Sequence, residues 1–314
     1  MTGRFGFLRR RLLQLIPVVL GITILTFFLL RLIPGDPARQ ILGQHYTPTA
    51  AAAIHKKLGL DEPVWTQYRL FMDRLVHGNL GQSIYYNESA GSLITQRLPA
   101  TMFLIVYAAV LAAIISIPVG ILAALRQGGV FDQSTRLASL VAFAMPSFWV
   151  GIVLLLIFAL KLQLFPVSGY GNGLTDHLWH LFLPALTIAL AFSTIVIRTL
   201  RASMLQTMRM DFVDTARIKG ISRMVVLMRH VVRNAIVSVV VVFGINLAYL
   251  VSNTVIIENV FSIPGLGQLL VDSVSSRDYA VVQGTTLVLA FFVVAVNLLT
   301  DLAYAALDPR VRYE

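Results

Sequence analysis

Cysteine is absent from this 314-residue sequence, and charged residues make up only 13% of it. Without cysteine, disulfides, thiolate zinc sites and iron–sulfur clusters are excluded on this chain. The scarcity of charge accompanies 57% hydrophobic residues and a mean hydropathy of +0.78, values far from those of a soluble domain. The sequence therefore predicts a protein whose main solvent is lipid.

Motifs for nucleotide binding and for common catalytic centres are also missing. The sequence contains no GxxxxGK[ST] phosphate-binding loop, no HExxH zinc motif and no serine nucleophile elbow. His177 and His180 are spaced i and i+3, but no convincing third metal ligand is nearby, so we expect a solvated pair. We therefore expect no catalytic residue, no metal and no cofactor on this chain.

Long apolar runs, by contrast, are plentiful. The first run, residues 12–32, would form a helix of about 31 Å, which matches the ~30 Å hydrocarbon thickness of a bilayer. It is too long for a signal-peptide core, so we interpret it as a retained span. Five further runs are long enough to cross: residues 98–125, 137–160, 181–200, 235–257 and 280–306. The predicted fold class is an all-α integral membrane protein with six transmembrane helices.

Basic residues beside the spans predict their orientation. Sixteen Lys and Arg lie in the flanks on one side, against only Lys161 and Arg277 in the short loops on the other. Because basic flanks stay in the cytoplasm, both termini are predicted to be cytoplasmic. The predicted division is an amino terminus with the first span (1–32), an extracytoplasmic loop (33–97), a five-helix core (98–306) containing a cytoplasmic loop (201–234), and a cytoplasmic tail (307–314).

The long outer loop, residues 33–97, is predicted to carry local structure. Thr47, Pro48 and Gly59 have the spacing of an N-cap, a first-turn proline and a C-cap, which predicts a short helix between them. Residues 63–75 are predicted to form a second helix with aromatic contacts. Such a loop either offers a surface to an external partner or covers the spans as a lid.

The cytoplasmic loop, residues 201–234, interleaves basic and apolar residues at helical spacing. Ala216 and Gly220 are about one helical turn apart, and small residues at this spacing permit close backbone approach. Asp211 and Asp214 precede them, where a helix dipole favours acids. This pattern fits docking of a partner protein, and it also fits binding to anionic lipid.

Uncharged polar residues are scattered through the predicted spans. Acids and bases lie near span ends or in loops, which argues against a proton-coupled path. The uncharged groups either line a pore or form hydrogen bonds between helices. They are Ser193, Thr194, Asn246, Ser252, Asn253 and Asn297.

One motif in the cytoplasmic loop resembles the EAA loop of bacterial ABC-importer permeases. It is the run DTARIKG at 214–220, followed by RHVVRN at 229–234. In that family an acid, two small residues and a glycine form a short coupling helix seated in a groove of the ATPase subunit. Here aspartate replaces glutamate, threonine replaces alanine, and Arg233 stands where many members have proline. The resemblance implies coupling to an ATPase through Asp214, Thr215, Ala216, Arg217 and Gly220.

Further stretches, spread over almost the whole chain, resemble the dipeptide and oligopeptide permease subfamily. They are RRLLQLIPVVLGITILTFFLLRLIPGDPA, LGLDEPVWTQY, GNLGQS, RLPAT, VFSIPGLGQLLVDSVSSRDYAVVQG and AYAALDPRVRY. The resemblance implies the type I ABC-importer permease architecture, in a bacterial plasma membrane. It also implies a heterodimer with a homologous permease, two cytoplasmic ATPases that bind ATP and Mg, and an extracytoplasmic solute-binding protein that delivers peptides.

Other functions remain open on sequence alone. Some relatives in the same class carry nickel, glutathione or haem, and nothing in the apolar helices distinguishes these cargoes. An ion-coupled secondary transporter would need an internal repeat and ionisable groups at the membrane midplane, and neither is evident. An intramembrane enzyme would need reactive residues that are missing. Membrane lipid is an expected partner, and nucleic acid is not.

Overall fold

The computed structural model describes residues 4–31, 38, 42–43, 46–59 and 61–307, so all but the first residue of the predicted tail lies outside the described part. These residues are almost entirely helical, and the one β-bridge among them joins Gln82 and Ser89. The predicted all-α class is therefore confirmed.

Thirteen α-helices follow one another along the described residues. They are α1 (Arg4–Arg31), α2 (Pro48–Leu58), α3 (Val64–Val76), α4 (Ala90–Leu125), α5 (Val130–Ala144), α6 (Ser147–Leu154), α7 (Leu174–His180), α8 (Phe182–Thr207), α9 (Asp211–Ile218), α10 (Arg223–Val225), α11 (Arg233–Val260), α12 (Leu266–Ser275) and α13 (Tyr279–Leu307). Two π-helical segments, Leu155–Lys161 and Val226–Val232, extend α6 and join α10 to α11.

Four helical stretches among the described residues are long and apolar enough to cross a membrane: α4, α8, 223–246 and 279–300. The pair formed by 130–144 and 147–161 qualifies as a fifth if it is one broken span. In α1, the described side chains provide a shorter apolar stretch, Ile16–Phe28. The multi-pass character is thus confirmed, and the count of six stays a prediction.

The third predicted span, residues 137–160, is not one straight helix. Its two halves, α5 and α6, are bent by 103°. The break lies at Met145 and Pro146, both extended in their backbone angles. Proline has no N–H to donate and pushes the preceding residue out of the helical region, so α5 ends here. The chain therefore bends sharply at this proline and does not continue as one straight helix.

The chain divides into two compact units. The first comprises mainly residues 1–100 and 264–294, and the second mainly residues 101–263 and 295–312. In the first unit, α3 of the outer loop packs against α1 through a cluster that buries Phe27, Phe71 and Leu287. The hydroxyl groups of Thr23 and Tyr68 form a hydrogen bond of 2.9 Å beside this cluster. Aromatic contacts thus fix the second predicted outer helix.

The second unit is built around α8, which packs against α5, α6 and α11. Small residues let these helices approach closely, as is common in membrane bundles. A Cβ on Gly120 would lie 3.0–3.2 Å from Leu200, and one on Gly151 would lie 3.2 Å from Phe261. Both glycines therefore mark positions where neighbouring side chains pack directly against the helix backbone.

Candidate functional site

The residues of the EAA-like motif fold into α9 and the turn that follows it. The helix begins after Met210, whose backbone is extended, and its first turn carries Asp211 and Asp214. It closes at Gly220, where φ is +74° and the N–H donates to the carbonyl of Arg217 at 3.0 Å. Only glycine adopts this left-handed conformation without strain, so the glycine of the motif ends the helix.

The predicted coupling residues divide between two faces of α9. Asp214 and Arg217 are exposed and form an ion pair of 3.1 Å, and Thr215 and Gly220 are exposed as well. A Cβ added to Gly220 would meet no heavy atom within 4 Å. Ala216, in contrast, is only 6% exposed. Its small side chain therefore serves packing inside this chain, and the outward face is formed by the other four residues.

The buried face of α9 rests on the π-helical segment Val226–Val232. Val213 is fully buried together with Ala216, and Val226 and Val231 are buried in the segment itself. This packing holds α9 against the chain, so its outward face has a fixed position.

Large apolar side chains remain exposed around that outward face. Ile218 is 86% exposed and Met224 is 66% exposed. The exposed fractions of Met210, Phe212, Ile221, Val225 and Met228 are smaller. We call these seven apolar residues, together with Asp214, Thr215, Arg217 and Gly220, the exposed α9 group.

A buried ion pair, which the sequence analysis missed, joins α5 to α8. Asp132 is fully buried, and its two carboxylate oxygens accept hydrogen bonds from Nε and Nη2 of Arg201 at 2.5 and 2.8 Å. The backbone N–H of Gly128 donates to the same carboxylate at 2.9 Å. Sequence counting had placed Arg201 in the cytoplasmic loop, but α8 continues to Thr207. The sequence contains one indication of this ion pair: Asp132 is the only acidic residue between Arg126 and Arg136.

Two of the predicted pore candidates form hydrogen bonds between helices. The Ser193 hydroxyl, 2% exposed, donates to the carbonyl of Ala112 in α4 at 3.3 Å. The Asn253 side-chain oxygen accepts from the Ser147 hydroxyl of α6 at 2.8 Å, directly after the break at Pro146. In this structure both residues therefore connect neighbouring helices within the second unit.

The other candidates make local contacts or face outward. Asn246 donates to the carbonyl of Val242 in its own helix at 2.8 Å, and Asn297 is exposed. Thr194 and Ser252 bond the carbonyls one turn before them. Asn246 and Asn297 thus form no hydrogen bond with another helix among the described contacts.

An apolar cavity of about 430 Å³ lies in the second unit among α4, α8, α11 and α13. Its lining includes Ser116, a buried hydroxyl with no hydrogen-bond partner in the described structure, and Gly244, which packs closely on Thr300. None of the six uncharged polar residues named as pore candidates lines it.

Two acids that sequence counting assigned to outer loops are buried. Glu258 is a residue of α11 and accepts a hydrogen bond from the Thr101 hydroxyl at 2.6 Å. Asp278 accepts hydrogen bonds from the Ser83 hydroxyl and from the N–H groups of Ile84 and Tyr85 at 3.1 and 3.2 Å. Both carboxylates therefore organise the protein around them instead of being solvated loop charges.

The side chains of His177 and His180 are only partly solvated. The ring of His177 stacks on Tyr170 with centroids 3.8 Å apart, and its Nδ1 lies 2.8 Å from the carbonyl of the same tyrosine. His180 is partly exposed. Stacking thus accounts for the position of His177.

Comparison with known proteins assigns the chain to a family. Residues 116–313 match the family described as "Binding-protein-dependent transport system inner membrane component", and residues 4–105 match "Binding-prot-dependent transport system membrane comp, N-term". Similar proteins include the dipeptide transport system permease DppB of Alkalihalophilus pseudofirmus and that of Escherichia coli K12, each 36% identical. The di/tripeptide transport system permease DppB of Pseudomonas aeruginosa is also 36% identical. All three matches cover 98% of this chain and 99% of the relative.

Solved structures support the same fold at low sequence identity. Two crystal forms of the MetNI methionine ABC transporter, in inward-facing conformations, align with TM-scores of 0.57 and 0.56 at 16% identity. The alignments cover 69% of this chain and 96% of theirs. The helical core therefore shares the fold of these proteins. By family and by fold, this chain belongs to the inner membrane components of binding-protein-dependent transport systems.

Proposed function

We propose that this chain is the permease subunit of an ATP-driven importer and forms half of a pore for di- and oligopeptides. The observation that carries the proposal is the match along 98% of the chain to relatives whose names specify dipeptide or di/tripeptide transport. Peptides are therefore preferred over nickel, glutathione or haem as cargo. Both termini are assigned to the cytoplasm, as the basic flanks predict.

The chain acts with partners that supply what it lacks. A second, homologous permease completes the pore, two cytoplasmic ATPases bind ATP and Mg, and an extracytoplasmic binding protein delivers the cargo. This division of labour accords with a sequence that has no phosphate-binding loop. ATP hydrolysis is thus a property of the complex, and the role of this chain is passage and coupling.

Coupling is assigned to the exposed α9 group. The exposed ion pair of Asp214 and Arg217 offers charge to a partner. The open space at Gly220 permits close approach, and the exposed side chain of Ile218 offers apolar area. The buried side of α9 contacts the segment Val226–Val232, and this segment continues into α11. A displacement of α9 would therefore be passed on to α11. Closure of the ATPases would in this way move a helix of the second unit.

The peptide path is assigned to Asn246 and Asn297. Both are uncharged polar residues, and neither forms a hydrogen bond with another helix among the described contacts. Ser193 and Asn253 contribute to the path through the helix positions that they fix. A path with few charges suits cargo selection by the binding protein, because the spans then impose little preference of their own.

The test is to purify the chain with its second permease, two ATPases and binding protein, and to measure ATP hydrolysis in lipid nanodiscs. Dipeptides and oligopeptides are expected to stimulate hydrolysis, whereas nickel, glutathione and haem leave the basal rate unchanged. The matched control is the same complex without the binding protein, which is expected to show no stimulation by any cargo.

Two results would overturn the proposal. If only nickel, glutathione or haem stimulated ATP hydrolysis, that compound and not a peptide would be the cargo. Transport by the chain in proteoliposomes that contain no ATPase subunit would remove it from ATP-driven import altogether.

A further inference from the structure

Helix α3 of the outer loop has a second apolar face besides the one packed on α1. The packed face carries Tyr68, Phe71 and Leu75, and Met72 at its edge also packs against the buried cluster. The neighbouring stripe, at spacings of four, three and four residues, consists of Trp65, Arg69, Met72 and Val76. In this outer stripe Trp65 is 73% exposed and Val76 is 78% exposed. A helical spacing of this kind places the four residues on one side of the helix.

The outer stripe continues the exposed apolar surface of α1. Ile16, Leu20 and Ile24 are 54%, 42% and 42% exposed and follow one another at four-residue spacing. The next position in that row is Phe28, whose ring lies 6.0 Å from the ring of Trp65 in an edge-to-face contact. One uninterrupted apolar surface therefore runs along α1 and onto α3.

The position of Trp65 corresponds to the edge of the hydrocarbon layer. The first span is predicted to end at residue 32, so Phe28 lies about 6 Å below that end at a helical rise of 1.5 Å per residue. Tryptophan is enriched at this level of membranes, where its ring is partly in the apolar layer and its N–H reaches water. The exposed side chain of Arg69 is long enough to extend from the same stripe toward lipid phosphates.

We infer that α3 is an interfacial helix that binds the surface of the bilayer through its outer stripe. The side of the helix opposite this stripe carries the polar residues Gln67 and Arg74, of which Arg74 is exposed. This amphipathic division is typical of helices that lie in the headgroup region. A lipid occupant fits better than a soluble protein because the stripe adjoins the exposed apolar row of α1. The outer loop is thereby anchored to the membrane at the end of the first span.

The absence of cysteine makes the inference directly testable. Single-cysteine variants Trp65→Cys and Val76→Cys report on the outer stripe, and Gln67→Cys and Arg74→Cys are matched controls on the opposite side of the same helix. Each variant is labelled with a nitroxide in the full transporter, assembled with cysteine-free partners in lipid nanodiscs. Power-saturation electron paramagnetic resonance then compares collisions with oxygen, which concentrates in lipid, and with a water-soluble nickel chelate.

The labels at positions 65 and 76 are expected to shift toward oxygen collisions, and those at 67 and 74 toward the nickel chelate. Peptide-stimulated ATP hydrolysis of each labelled complex verifies that it is assembled. Equal nickel accessibility at all four positions would overturn the inference, because α3 would then be surrounded by water. Protection from both reagents at positions 65 and 76 would also overturn it, because a protein would then cover the stripe.

Discussion

Two ion pairs of this chain differ in how far they are buried. Asp132 and Arg201 form an ion pair whose carboxylate is fully buried, so it joins helices of this chain to each other. Asp214 and Arg217 form a pair that is more than half exposed on both sides. Exposed pairs contribute little to stability, whereas a buried charge that loses its partner is costly. The first pair therefore serves the fold, and the second is available to a partner.

The same division separates the residues within α9. Ala216 and Val213 are buried against the chain, and Ile218 and Gly220 are open to the outside. Substitutions on the two sides should consequently separate stability from coupling. Stability should fall most at buried positions, and peptide-stimulated ATP hydrolysis should be lost at exposed positions that leave the fold intact.

The largest loss of stability is expected for Asp132→Asn. Removing the carboxylate leaves the guanidinium of Arg201 without its buried partner, which costs about 3–5 kcal/mol. The free energy of unfolding of the purified chain, measured by titration with sodium dodecyl sulfate, checks this value. In a double-mutant cycle, Asp132→Asn with Arg201→Gln should lose less than the sum of the two single variants. Additive losses would contradict a direct pair.

A smaller loss is expected for Ala216→Leu. The added carbons have no room between α9 and the segment Val226–Val232, and overpacking of this kind costs about 1–3 kcal/mol. Thr215→Leu enlarges the neighbouring exposed side chain and serves as the control, with little expected change. Unfolding titrations of both variants measure the difference. Equal stability of the two would show that α9 does not pack on this chain in solution.

Two substitutions of Gly220 distinguish the effect of backbone strain from the effect of side-chain size. Gly220→Ala and Gly220→Trp both place an L-residue at φ +74°, at a cost of about 1–2 kcal/mol. The open space around Gly220 accommodates either side chain in the isolated chain, so the two variants should be similarly stable. In the assembled transporter, only the tryptophan variant is expected to abolish peptide-stimulated ATP hydrolysis while membrane insertion is retained. Full stimulation with tryptophan would remove Gly220 from the contact.

The smallest effect on stability is expected for Arg217→Gln. An exposed pair spaced i and i+3 on a helix contributes less than about 0.5 kcal/mol. The rate of peptide-stimulated ATP hydrolysis should nevertheless fall if Arg217 contacts an ATPase subunit. Lys219→Gln, which removes an exposed charge from the same turn, is the control. Equal rates in both variants would assign no specific role to the Asp214–Arg217 pair.

Local features of the sequence predicted more of this structure than long-range pairs did. The first outer helix has the expected Thr47 cap, with the N–H of Ala50 3.2 Å from its hydroxyl, and ends at Gly59 with φ +69°. Such caps depend only on residues within a few positions of each other. The EAA-like motif likewise formed a short helix closed by glycine.

Long-range pairs were missed because charge counting treats each residue separately. Asp132 and Arg201 are 69 positions apart, and Asp278 binds backbone groups that are more than 190 positions away. The sequence shows which residues are charged, but it does not show which helices lie next to them in the fold. The same limit applies to Ala216: its small size indicates a close approach, and the structure identifies the neighbouring segment of this chain as one surface that it meets.

Cross-linking from α9 tests most directly whether its outward face is the contact with the ATPases. Because the chain has no cysteine, Ile218→Cys on the exposed face and Val213→Cys on the buried face give a matched pair on one helix. With a thiol-specific photoreactive label in the assembled transporter, position 218 is predicted to cross-link to an ATPase subunit and position 213 is not. Cross-linking of position 218 to lipid alone, with no ATPase adduct, would contradict the assignment of this face to coupling.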